Sequence, residues 1–352
     1  MNRSGKLFLF LLTITGVVSC KQVDSTNLPY SIGTVDEMVV VLNSVDSTDT
    51  LFRVIDEYLG ASYGYTPQPE RRFNVIYADM ATYQNTFERH RNLVFIGDLE
   101  QPTAFSRFIG ELVGEDRVAK LKQAGNSFYL PLENMWSHPQ YVEAIVAADR
   151  DLLLADLDNI LTGLLQRVSD RELNKIRSNQ YVAGHNLQVE EALADAGINL
   201  QVPADFKALS VSKENFWFLR KSTIDMTASI MIYWEPYSDS AQLKPEYVLH
   251  LRDSLGLTYE SSKVANSFMQ TEYRVAQLHE QIDFNGAYAL RSRGLWRLVN
   301  DFMGGPYINF WVYDEQHNRM VYLDGYVYAP DMRKRPLVRQ LEAILTSYDP
   351  VP

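Results

Sequence analysis

The stretch RGLWRLVNDFMGGPYINFWVYD, residues 293–314, decides how the chain is read. Extended together with the residues before it, it places Tyr288, Leu290, Trp296 and Leu298 on one face and Arg291, Arg293 and Arg297 on the other. A helix would scatter the same residues by about 100° each, so the clean sorting predicts a strand. Gly304-Gly305-Pro306 is expected to break the chain, because two glycines allow positive φ and proline blocks continuation. Tyr307–Tyr313 alternates again, with Ile308, Phe310 and Val312 facing one way and Tyr307, Trp311 and Tyr313 the other. Asp314–Arg319 reads as a polar turn and Met320–Tyr328 as the returning partner. Pro336 then opens a helix with Leu337, Leu341, Ile344 and Leu345 on its buried stripe. A hairpin closed by an amphipathic helix points to an α+β fold with antiparallel sheets and packed helices.

The rest of the second half is consistent with this. Helices are expected over 189–196 and 245–255, and strands over 206–211, 226–234 and 268–275. In the first half, Met38–Leu42, Phe73–Tyr77, Asn92–Ile96, Ser127–Pro131 and Tyr141–Ala147 read as strands. Helices follow Asp49, span one or two pieces of Phe105–Ala124, and run from Asp149 to Val168. Residues 169–187 are charged and read as a joint. The expected organisation is a signal segment (1–19), a tether (20–35), a first α+β half (36–180) and a second (181–352). The order helix, Gly, Pro link, Phe-led strand, apolar strand, helix recurs in both. A duplication would leave such an order, and so would two unrelated α+β modules.

The N-terminus, MNRSGKLFLFLLTITGVVSCKQ, has a positive head (Arg3, Lys6) and an apolar run, Leu7–Val18, too short to cross a bilayer of about 30 Å. Val17-Val18-Ser19-Cys20 resembles a bacterial lipobox, which implies acylation of Cys20. Cys20 is the single cysteine, so no intramolecular disulfide can form and stability must come from a core. The net charge is −11, and cleavage before Cys20 would remove two cations and leave −13. Such a body is not drawn to nucleic acid by long-range attraction.

RGLW, NDFMGGP, LDGYVYAP and RQLEAIL, between residues 293 and 345, resemble an uncharacterised family of Bacteroidota lipoproteins, the domain of unknown function 4837. The resemblance implies a lipid-anchored envelope protein at the outer membrane, on its periplasmic face or the cell surface. It implies no activity and no catalytic residue. Lys21 after Cys20 resembles the start of a surface-export tag, but Gln22 and Val23 stand where acids are expected.

Two catalytic signatures are absent from the sequence: there is no phosphate-binding G-x-x-x-x-G-K-[ST] and no G-x-G-x-x-G. His279-Glu280-Gln281-Ile282-Asp283 approaches the zinc motif H-E-x-x-H, which needs a helix. Asp149, Asp151, Asp156 and Asp158 lack the spacing of a calcium loop and read as helix-start charges. No cofactor or metal is expected.

Two basic features remain: the Arg291, Arg293 and Arg297 face, and Arg333-Lys334-Arg335 before a helix start, where cations oppose the helix dipole. Either they pair with acids of this acidic body, or they hold a phosphate, carboxylate or sulfate. Trp311 would stack on a glycan or peptide if exposed, and is core if a helix covers it. The expected function is a non-catalytic binding or assembly component of the envelope, attached through lipid, with an envelope protein or an anionic or glycan ligand as partner. A hydrolase or transferase acting on envelope polymers is the alternative.

Overall fold

The computed structural model of the chain describes residues 27–125, 127–212 and 215–350. The signal segment 1–19, Cys20 and the start of the tether lie outside the described residues.

The first half runs β1 (Glu37–Leu42), α1 (Thr50–Leu59), β2 (Asn74–Ala78), α2 (Met80–Thr82), β3 (Asn92–Asp98), α3 (Ala104–Val113), α4 (Glu115–Ala124), β4 (Ser127–Glu133), β5 (Tyr141–Ala147), α5 (Arg150–Ala155) and α6 (Leu157–Gln180). Its sheet has the order β2-β1-β3-β5-β4. The first four strands are parallel and β4 closes the edge antiparallel, so this sheet is mixed where antiparallel pairing is expected. The cause is visible in β1, β3 and β5: MVVVL, NLVFIGD and YVEAIVA are apolar without alternation, as strands covered on both faces must be. α1 and α6 cover one face through Leu51, Ile55, Leu59, Leu157, Leu161 and Leu164, and α3 and α4 cover the other through Phe105, Ile109, Val113 and Leu121. Asp49 starts α1 by accepting hydrogen bonds from the Leu51 and Phe52 amides at 2.8 and 3.1 Å.

The second half runs α7 (Leu187–Ala194), β6 (Lys207–Ser212), β7 (Phe216–Ser222), β8 (Thr227–Pro236), α8 (Pro245–Tyr259), β9 (Phe268–Thr271), β10 (Leu278–Phe284), β11 (Ala287–Val299), β12 (Gly304–Asp314), β13 (Arg319–Tyr328) and α9 (Arg335–Leu345). Its eight strands are antiparallel throughout, in the order β10-β11-β12-β13-β8-β7-β6 with β9 beside β11. The parity read from the sequence is the parity of the sheet. Leu290, Trp296 and Leu298 join Tyr307 and Trp311 under α8, while Ile308, Phe310 and Val312 face α7 and α9.

The break at Gly304–Pro306 is not there. The chain turns earlier, at Asn300–Met303, with Asn300 at φ +59°, and all three residues belong to β12. Gly305 lies opposite Trp296, and a Cβ on it would fall 2.0 Å from the Val327 carbonyl oxygen. Close approach, not positive φ, calls for glycine at this position.

The chain is α+β, in two halves. Each half is a sheet between helices, but the strand orders differ, so the recurring order of elements is not a recurring topology. The expected joint, 169–187, is mostly the last three turns of α6, which pack on α9. The expected tether is already seated from Pro29: the Ser31 amide donates to the His138 carbonyl and Ile32 exchanges backbone bonds with Arg89 and Arg91. Such pairing uses backbone alone and leaves no side-chain period to read.

Candidate functional site

The α1–β2 loop, α6, β10, β11 and α9 meet around a cleft of about 890 Å³ between the halves. Six arginines line it (Arg72, Arg177, Arg291, Arg293, Arg335 and Arg339), against four acids (Asp170, Glu280, Asp283 and Glu342). In a chain of net charge −11, a site where cations outnumber acids is a local reversal. Tyr58, Tyr63, Tyr65 and Phe73 add an aromatic wall from the first half.

The arginines are ordered by a seam of carboxylates. Glu172 of α6, almost fully buried, receives Arg335 Nη2 at 2.8 Å and Arg339 Nε at 3.2 Å. Glu342 receives Arg339 Nη1 at 2.6 Å and Arg293 Nη2 at 3.0 Å. Burial pushes the Glu342 carboxyl up, but Arg339, Arg293 and Arg291 outweigh it and hold the group below its ordinary value. Arg291 donates to Glu280 at 2.8 Å across the β10–β11 pair. All three carboxylates are thus arginine-bound counter-charges.

Several polar atoms at this site lack a hydrogen-bond partner although buried: Arg335 Nε and Nη1, Arg293 Nε and Tyr63 Oη. Arg335 and Arg293 lie 5.6 Å from the Tyr63 ring, and Arg335 lies 5.2 Å from that of Phe73. Burial raises the Tyr63 hydroxyl above its ordinary value, with Arg293 opposing. Arg72 is lowered by burial and by the nearby charge of Arg293. No carboxylate pairs with Arg72 among the described residues. Unmatched donors of this kind are costly and favour an acceptor.

The residues singled out in the sequence are divided by the fold. Arg291, Arg293 and Arg335 meet in the cleft. Arg297 shares their face but stands apart, with Nε 3.8 Å from Glu272. Trp311 is fully buried beneath α8 and donates its indole N–H to the Gln242 carbonyl at 2.8 Å, so it is core and not a stacking platform. The helix start behind Arg333-Lys334-Arg335 holds an anion that belongs to the chain itself. Glu70 of the first half accepts from the Lys334 and Arg335 amides at 2.6 and 3.0 Å. Arg333 reaches Asp36 at 3.5 Å, and Lys334 Nζ donates to the Pro330 carbonyl. His279–Asp283 is strand β10, on which residues four apart stand about 13 Å from each other, too far for one metal ion. Asp149 caps α5 through the Leu152 amide.

Tyr63, Arg72, Glu172, Arg177, Arg339 and Glu342 are site residues that the sequence reading misses. Only the cations at the α9 start signalled that an anion had to come from elsewhere in the fold.

Residues 186–347 match the model of a domain of unknown function, DUF4837. The second half is a DUF4837 domain. Residues 31–181 match a different domain of unknown function, DUF8532, so the two halves belong to separate families, in keeping with their different sheets. No curated protein matches the chain. The DUF4837 domain supplies Arg291, Arg293, Arg335 and Arg339 to the cleft, and the DUF8532 domain supplies Tyr63, Arg72 and the Glu172 that orders them. Neither domain carries the site alone.

Proposed function

We propose that this protein is a lipid-anchored component of the cell envelope that binds an anionic ligand in the cleft between its halves and does not turn it over. One observation carries the ligand: partly unpaired, buried arginine N–H groups converge on a cleft of ligand size in an otherwise acidic protein. The aromatic wall suits a sugar or another ring bearing a phosphate or carboxylate. Glu280 and Glu342, two acids of the cleft, are neutralised by arginine, an arrangement for holding charge in place and not for passing protons. The anchor rests on Cys20 and the lipobox-like VVSC before it. No helix of the described residues is long and apolar enough to cross a membrane, so attachment through acyl chains gives the membrane a route that the described helices do not. The DUF4837 match and the features of the N-terminus together support an outer-membrane lipoprotein of the kind found in Bacteroidota.

Isothermal titration with inorganic phosphate, sulfate, glucuronate and a hexose phosphate tests the cleft. Wild type is expected to bind at least one of them saturably. Arg291→Gln with Arg293→Gln should weaken that binding at least tenfold per arginine lost, at about 1.5–3 kcal/mol per charged hydrogen bond. The melting temperature should fall by several degrees as well, because the buried Glu342 loses Arg293, so binding is compared at a temperature where both proteins are folded. A variant that fails to fold would make both arginines structural, and unchanged binding would move the ligand elsewhere.

A further inference from the structure

The two most exposed large apolar side chains among the described residues are Phe302, at 105%, and Ile224, at 98%. Single exposed apolar residues are ordinary. These two share a location. Phe302 is in the β11–β12 turn and Ile224 in the β7–β8 turn. The register pairs Arg297 with Gly304, Tyr307 with Tyr326 and Tyr328 with Thr227, so both turns close the same edge of the second sheet. Three strand spacings separate them, roughly 15 Å.

Both turns are braced. Asn300 Nδ2 donates to the Asn266 carbonyl at 3.1 Å, and the Leu298 amide donates to the Met303 carbonyl at 2.8 Å. Thr223 accepts from the Met226 amide at 3.2 Å through its hydroxyl. The loop leaning on the Phe302 turn holds Val264, and the segment after β13 holds Met332, both exposed as well. Charge at this edge is mixed: Lys221 pairs with Asp205, and Asp225 and Asp301 sit within the two turns.

The N-terminal segment, first seated at Pro29–Ile32 against His138 and Arg89, passes this same edge a few residues later. Val35 lines a small pocket with Met226 and Lys221, and Asp36 meets Arg333, the neighbour of Met332. The ten residues from Cys20 to Tyr30 span at most about 36 Å. A bilayer holding Cys20 is therefore within reach of the edge that Phe302 and Ile224 project from.

We propose that this edge is a second membrane contact, with Phe302 and Ile224 dipping into the interfacial layer of the bilayer that holds the anchor. The proposal rests on the lipid-anchor reading above. An acylated tether alone leaves the body free to tumble, and two apolar wedges fix its orientation. Mixed charge at the edge makes the contact indifferent to anionic lipid and to salt.

The full-length acylated protein, reconstituted in phosphatidylcholine vesicles with and without acyl-brominated phosphatidylcholine, tests it. Phe302→Trp and Ile224→Trp place reporters at the edge, and Gln316→Trp, in the β12–β13 turn at the opposite edge, is the control. The fluorescence added by the first two is expected to fall at least twofold in brominated vesicles, equally in low and high salt, while that of the control holds. Flotation with the vesicles but equal quenching at all three positions would overturn the membrane contact and leave these turns to water or a protein partner. Failure of the wild-type protein to float would overturn the anchor, and the edge contact with it.

Discussion

The second sheet carries an arginine–carboxylate cluster on each face, and the two have opposite surroundings. Under α8, Arg252 and Asp324 are both fully buried, 3.4 Å apart, with Arg252 lying 3.9 Å over the Tyr307 ring. On the α9 face, Arg291, Arg293, Arg335 and Arg339 meet Glu280, Glu342 and Glu172 beside a cleft of about 890 Å³. The chemistry is the same and the cover differs. A helix of the same domain seals the first face, while a separate domain closes the second only in part. The availability of an arginine is set by what lies over its face, not by the residue or its strand.

The largest effect is expected from Glu172→Gln. It removes the carboxylate of Arg335 and one of the two that hold Arg339, in a buried setting where losing one partner costs about 3–5 kcal/mol. The melting temperature should fall by roughly 6 °C or more. Differential scanning calorimetry checks this, and a loss under about 1 kcal/mol would mean that the seam is solvated and holds the halves only loosely.

The sealed face responds to pH. Burial pushes the Asp324 carboxyl up to about 6, against the pull of Arg252. In the unfolded chain an aspartate titrates near 4, at about 3.9. Between those values the folded protein holds a proton that the unfolded chain has lost, so stability falls as pH rises from about 4 to 6. The effect is on the order of 2–3 kcal/mol. Asp324→Asn cannot titrate and should lack this decline, but it leaves the buried Arg252 without its carboxylate and is expected to be less stable than wild type across the range. Thermal melts of both proteins across pH 4–7 decide it; parallel curves would place the raised group elsewhere.

The smallest effect is expected at the rim. Arg333 is half exposed and meets Asp36 and Glu70 at 3.5 and 3.8 Å. Arg333→Ala should cost less than about 1 kcal/mol in chemical denaturation. A larger loss would make the rim part of the seam.

The hairpin could be read from the sequence because half-buried strands alternate with period two, which sorted Arg291 and Arg293 from Trp296. The direction of pairing in the first sheet could not be read as easily. MVVVL and YVEAIVA lack alternation, a sign of parallel strands only once helices on both faces are known. The cleft was half readable. Three of its arginines stood out as unexplained cations. Their partners did not: Glu172 and Glu342 are 170 residues apart, and Glu172 lies in a charged run of the kind that is usually solvated. What buries that run is the other domain, and no local period records it.

If the cleft is built for an anion, Arg72 is the side chain whose loss should show it. Arg72 faces the cleft without a carboxylate partner among the described residues, so its removal breaks no ion pair. Isothermal titration of wild type and Arg72→Ala with the same phosphate- or carboxylate-bearing probe, alongside a melt of each, separates binding from stability. Affinity should fall at least tenfold while the melting temperature stays within about 2 °C. Equal affinity in the two proteins, or a variant that loses many degrees, would show that these arginines hold the molecule together and do no more.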